Sequence, residues 1–246
     1  MWRQRRAGWA KHRTNRKKMP DRFAMNQALL KAAKATLANR TRVYWVVGGA
    51  GSGKTTICQA LASQCNLPIY DMDAHIYGEY HGRFSPSRHP VNSQWAAAPN
   101  GLAWLLEMSW AEFDAFNQAT LPEYLDLLAE DLDKLPADAG LLIDGGIVNT
   151  AVAAHAFPAS QMVCLSRPGV TSSGVWQETS ARLEMKAMFA YLPEPETMWQ
   201  KFIEFDEKIN QTILQECQTA NIPVCQRSEK DTVDALAQRV AQQLRL

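Results

Sequence analysis

The chain has 246 residues, 46% of them hydrophobic, with 26 Lys and Arg against 25 Asp and Glu. That length supports one large domain with a full core, and the composition excludes a fibrous or wholly disordered protein. No stretch approaches the ~18 uninterrupted apolar residues of a membrane helix, and the Arg-rich start lacks the apolar centre of a secretory signal, so a soluble protein without a membrane partner is expected.

The net charge of +1 hides an asymmetry: residues 1–42 hold 13 Lys and Arg against Asp21 alone, whereas from Val43 onward 13 basic residues face 24 acidic ones. Residues 1–24 have no clear apolar period and read as a basic, disordered arm. The arm has a nucleic-acid reading, but charge runs alone are weak evidence for a partner. A solvated tail, or a translation start at Met19 or Met25, is preferred. An organelle transit peptide is disfavoured because residues 1–20 contain no Ser.

Residues 25–246 read as one domain. Ala28, Leu29, Ala32, Ala33 and Leu37 recur at helical spacing, which predicts an amphipathic helix over 25–39. A buried strand follows over 43–47, then a glycine-rich turn and a helix over 54–64. A second strand over 67–72 carries Asp71 and Asp73 at its C-terminal end.

The stretch 74–140 is expected to open irregularly, with Gly78, Gly82, Pro86, Pro90 and Pro99, and then to turn helical. Ser109 to Glu112 and Thr120 to Glu123 both match the capping-box pattern, which predicts two helices between 110 and 134. Further strands are predicted at 141–143, 161–165 and 222–225, and helices at 175–191, 196–220 and 231–246, with Pro193 and Pro195 as breakers. Strands alternating with helices imply an α/β protein with a parallel sheet, whose ligands bind beyond the carboxyl ends of the strands.

Residues 48–55, Gly-Gly-Ala-Gly-Ser-Gly-Lys-Thr, fit G-x-x-x-x-G-K-[ST] without a mismatch, between a predicted strand and a predicted helix. Glycines let successive amides converge on phosphate oxygens, and the helix start adds partial positive charge. Gly48, Gly49, Ala50, Gly51, Ser52, Gly53, Lys54, Thr55 and Thr56 are therefore expected to bind ATP. Lys54 reaches the β and γ phosphates and Thr55 offers its hydroxyl to Mg2+. The N-K-x-D signature of guanine recognition is absent from the sequence.

Asp71 and Asp73, two apart on a strand, would share a face opposite Lys54 and suit magnesium binding and proton transfer; the plain alternative is two carboxylates at a solvent-facing strand end. Asp144 follows an apolar run, as a magnesium-orienting carboxylate does, and Gly145 and Gly146 leave room for substrate or make an ordinary turn. Arg182 and Lys186 share one helix face, with Arg167 before them. Arg182 is read as a lid arginine that meets transition-state charge, against the alternative of pairing with Glu178 four residues earlier.

This order of strand, P-loop, D-x-D, glycine-ended third strand and arginine-bearing segment resembles the nucleoside monophosphate kinase, shikimate kinase and gluconate kinase group across about 43–246. The resemblance implies a P-loop three-layer α/β/α fold with a five-stranded parallel sheet, a helical insertion after strand 2 (74–140) and a lid after strand 4 (167–191). It further implies ATP at the P-loop, Asp71 near Mg2+, Asp73 near the acceptor hydroxyl, Gly145 and Gly146 at the acceptor, and Arg182 in the lid. The stretch 74–121 matches no acceptor-binding pattern.

Arg83 and Arg88 with nearby His and aromatic residues suit a base, sugar phosphate or acidic metabolite, and the acceptor is expected to be a nucleoside, nucleotide, sugar or sugar acid. Two other readings are a toxin-like or polynucleotide-type kinase that uses the basic arm, and a nucleotide-dependent regulatory ATPase.

Overall fold

The computed structural model describes residues 22–246, and the basic arm up to residue 21 lies outside them. In chain order the elements are α1 (Gln27–Leu37), β1 (Val43–Gly48), α2 (Lys54–Cys65), β2 (Ile69–Asp71), α3 (Met72–Tyr77), α4 (Pro90–Ala96), α5 (Gly101–Leu106) and α6 (Trp110–Asp133). Then come β3 (Leu141–Asp144), α7 (Thr150–Ala156), β4 (Met162–Ser166), α8 (Ser172–Val175), α9 (Ser180–Met188), α10 (Pro195–Thr219), β5 (Val224–Gln226) and α11 (Val233–Leu244).

The five strands form one parallel sheet in the order β2-β3-β1-β4-β5. Side chains alternate across a strand, so β1 divides its residues between two cores. Val43, Trp45 and Val47 point into a cluster with Leu37, Leu125, Leu128 and Ala153, from α1, α6 and α7. Val46 points the other way, against Ile57 and Leu61 of α2 and Leu236 and Val240 of α11. Helices on both faces of a parallel sheet make the three-layer α/β/α P-loop fold that the sequence implied. Among the described residues no helix is long and apolar enough to cross a membrane.

Several local expectations change. Phe23, assigned to the arm, is buried and packs edge-on against Trp104 and Phe116. The two helices expected between 110 and 134 are one, α6, which runs through Pro122. Ser109 and Glu112 do form a capping box. Thr120 instead donates its hydroxyl to the Asn117 carbonyl, and Glu123 is fully buried, accepting from the backbone amides of Val91 and Asn92 and the Asn92 side chain at 2.7–3.0 Å. Glu123 thus satisfies two of the amides that the start of α4 leaves without helical partners. The missing Pro122 hydrogen bond is offset by burial of Leu121, Pro122 and Leu125.

The helix expected over 175–191 is shorter: α8 ends at Val175, and only α9 and a short 3-10 turn lie within that range, because Thr179 accepts from the Arg182 amide and caps a fresh start. β2 ends at Asp71, so Asp73 belongs to the first turn of α3 and does not share a strand face with Asp71.

Candidate active site at the P-loop

β1 delivers Gly48 to the carboxyl edge of the sheet, and α2 starts six residues later at Lys54 with Gly53 as its cap. Gly48 is held by packing: a Cβ there would lie 2.3 Å from the Leu165 carbonyl oxygen, on the neighbouring strand. The turn therefore leaves the sheet more tightly than any side chain allows. The first amides of α2 have no helical partner and carry the positive end of the helix dipole. Lys54 folds back over the loop, its Nζ donating to the Gly49 carbonyl at 3.1 Å.

Across from Lys54, β3 ends at Asp144, which is only 5% exposed and has an Oδ1 without a hydrogen-bond partner among the described residues. Burial pushes its carboxyl above the ordinary range; the Thr55 hydroxyl and the Lys54 ammonium beside it pull the other way, and the negative charge of Asp71 adds to the rise. Asp73 reaches the same place from α3. It is open to solvent on one side, yet the protein around it raises its carboxyl, with Lys54 opposing and Asp71 and Asp144 reinforcing. Asp71 itself turns aside to cap α3, its Oδ1 accepting from the Ala74 amide at 2.9 Å.

Gly145 and Gly146 follow Asp144 with φ of +69° and +80°, so the chain turns through the left-handed region twice. The Trp45 indole, buried in the sheet, holds this turn by donating to the Gly145 carbonyl at 2.8 Å.

Cavities open on both sides of the P-loop. On one side a cleft of about 370 Å³ runs along Gly49, Ala50 and Ser52 to Arg167 and Asn210, and a neighbouring one of about 600 Å³ shares Arg167–Val170 with it and reaches Arg227 and Arg239. Arg227 stands beside the loop, its Nη1 3.2 Å from where a Cβ on Gly53 would be. On the other side a cleft of about 560 Å³ is lined by Gly48, Lys54, Asp73, Gly146, Asn117, Tyr124 and, from the segment after β4, Trp176 and Met185.

The fold thus places Asp73 and Asp144 beside residues 48–56 and directs Asp71 to a helix cap. Gly146 lines the second cleft and Gly145 backs Asp73. Arg182 is held by Glu178, at 3.0 Å, and by the Val175 carbonyl, at 2.9 Å; Glu178 also takes Arg167 at 2.6 Å. The pairing alternative is therefore present in the structure, two arginines of one segment held on a single carboxylate.

Arg83 and Arg88, expected as anion clamps, are not available for that task. Arg83 pairs with Glu130 and Asp131, Arg88 with Asp126 and Glu130, all on α6.

No protein-family model matches the chain, and no curated protein matches it in sequence. The chain is similar to a number of solved structures, among them two at low identity. TT1252 from Thermus thermophilus is 16% identical, with a TM-score of 0.43, over 81% of this chain and 94% of that one. Shikimate kinase from Bacteroides thetaiotaomicron is 15% identical, with a TM-score of 0.41, over 83% and 98%. Neither carries any of the functional reading, which rests on the residues of the site.

Sequence reasoning missed Asn210, Arg227 and Asp206. Asp206 had a signal: it stands between Phe202 and Ile209 at helical spacing, a charge on the apolar face of α10. Arg227 had none, since it follows a three-residue edge strand and meets the P-loop only through the sheet order.

Proposed function

We propose that this protein is an ATP- and Mg2+-dependent kinase that transfers the γ-phosphoryl group to a hydroxyl of a small-molecule acceptor. The observation that carries the reading is the convergence of Lys54, Asp73 and Asp144 beside the phosphate loop, from three separate elements, at the carboxyl edge of the sheet. A kinase needs that set, and a passive glycine turn does not.

The residues fit the groups they would hold. The loop amides and Lys54 offer donors to phosphate. The Thr55 hydroxyl and Asp144, with its unpartnered buried oxygen, are hard oxygen donors suited to Mg2+. When bound, Mg2+ neutralises charge on the phosphate oxygens. The cleft shared by Arg167, Arg227 and Arg239 receives the nucleoside end of ATP, and the cleft beyond Asp73 receives the acceptor.

Asp73 orients the acceptor hydroxyl and takes its proton as that oxygen bonds the γ-phosphorus and the bond to the bridging oxygen of ADP breaks. Lys54 meets the charge developing on the phosphoryl oxygens. Arg182, in the segment covering the acceptor cleft, is assigned to the closed state, exchanging Glu178 for the transferring group. The five free thiols suit a reducing, cytosolic setting.

The deciding experiment is a screen of hydroxyl compounds for acceptor-dependent ADP formation, run alongside equilibrium binding of ATP with Mg2+. Absence of nucleotide binding would end this reading.

A further inference from the structure

The acceptor cleft and a second cavity of about 370 Å³ share Tyr77, Met185, Phe202, Asp206 and Ile209, so the two meet along one face of α10. The second cavity is an apolar annex, walled by Trp95, Leu102, Leu105, Phe113 and Met188. Among the residues lining cleft and annex the basic side chains are Lys54, committed to phosphate, and His81, packed edge-on against Trp95 at 4.6 Å. Arg83 and Arg88, near the lining residues in sequence, are bound by α6 carboxylates, and Arg182, three residues before Met185, by Glu178. The carboxylates of the lining are Asp73 and Asp206.

Asp206 sits where cleft and annex join. It is only 7% exposed, and its Oδ2 has no hydrogen-bond partner among the described residues. The Ser172 hydroxyl and the Trp176 indole stand beside this carboxyl, and Asp206 lines both cleft and annex, so it is the acidic group that a donor entering their junction meets. An anionic acceptor would meet two carboxylates there and no arginine among the lining residues. An apolar body carrying a donor would meet a matching surface.

We infer that the acceptor is an amphiphilic hydroxy compound, with an apolar, preferably aromatic body in the annex, a hydrogen-bond donor such as an ammonium group on Asp206, and no anionic group. The assignment rests on the kinase reading and narrows it: phosphorylated sugars, nucleotides and sugar acids are excluded.

The test uses the full chain with ATP and Mg2+ and two matched trios, each with an ammonium, a neutral and an anionic member: tryptophanol, tryptophol and indole-3-lactate, and phenylalaninol, 2-phenylethanol and 3-phenyllactate. Calorimetric binding and ADP formation are both read. The ammonium members are expected to bind at least about tenfold more tightly than the anionic ones, with the neutral members between them.

Asp206→Asn, checked for folding by thermal unfolding, is expected to bring the ammonium members down to the level of the neutral ones. Met185→Arg, on the covering segment, is expected to raise affinity for indole-3-lactate by about tenfold, and serves if the first variant does not fold. Equal or preferred binding of the anionic members overturns the assignment. So does binding of none of the six while ATP still binds, an outcome that leaves the kinase reading standing. Loss of nucleotide binding in the unaltered protein sinks both.

Discussion

Asp73 Oδ2 lies 2.7 Å from the point where a Cβ on Gly145 would stand, and Lys54 Cε lies 3.2 Å from the same point. The space a side chain would fill is the space in which the proposed base and the phosphate-binding lysine approach each other. Gly145→Ala therefore displaces Asp73 and forces alanine into the left-handed region, at about 1–2 kcal/mol. The expected result is a fall in kcat of about 10²-fold or more, as for a misplaced general base, with ATP affinity retained. Steady-state kinetics with a separate nucleotide titration check it.

Lys54→Ala removes the charge that meets the transferring group. Phosphoryl transfer is expected to drop by about 10²–10³-fold, the range for a lost preorganised donor. Unchanged turnover would remove the P-loop from the mechanism.

Arg182 and Arg167 share Glu178 in this structure. If Arg182 acts only after leaving that carboxylate, Arg182→Ala lowers kcat by about 10²-fold with little change in KM for ATP. If the pair is merely structural, the same variant lowers thermal stability and leaves kcat alone.

Arg83 is expected to matter for stability and not for catalysis. Burial raises the Asp131 carboxyl, but hydrogen bonds from Arg83, Lys134 and Tyr70 outweigh it and bring it down to about 2. A depressed carboxylate contributes stability above its unfolded value, near 3.8, and that contribution is lost as pH falls towards 2. Arg83→Gln should cost about 1.5–3 kcal/mol at pH 6, shrinking between pH 4 and pH 2, with kcat unchanged. Denaturant titrations at several pH values measure the difference.

Asp206 has the opposite sign. Burial raises its carboxyl, against help from the Ser172 hydroxyl and the Trp176 indole, so its ionisation costs stability once pH passes its folded value and costs nothing well below 3.8. Asp206→Asn should thus gain in Tm relative to the natural chain at pH 7 and lose that gain at pH 3.5. Each kcal/mol corresponds to about 2–4 °C in a chain of this size. Calorimetry at the two pH values tests the sign.

The phosphate loop was legible because its chemistry is contiguous: eight neighbouring residues specify the turn, the lysine and the hydroxyl. Asp144 was legible because it ends an apolar run that can only be a strand. Arg83 and Arg88 were misread because their partners lie 38–48 residues away on α6 and meet them only after the insertion folds. Thr120 to Glu123 imitated a helix start because the pattern records residue types and not partners. Glu123 answers the amides of α4, some thirty residues earlier.

The unbroken course of α6 has a mechanical consequence. Its 24 residues extend about 36 Å, and one rod presents Asn117, Thr120 and Tyr124 to the cleft while gripping the insertion through Asp126, Glu130 and Asp131. In the proposed kinase, the widening that admits or releases a molecule is therefore assigned to the opposite jaw, residues 167–191, which carries Trp176 and Met185 across the cleft from Tyr124.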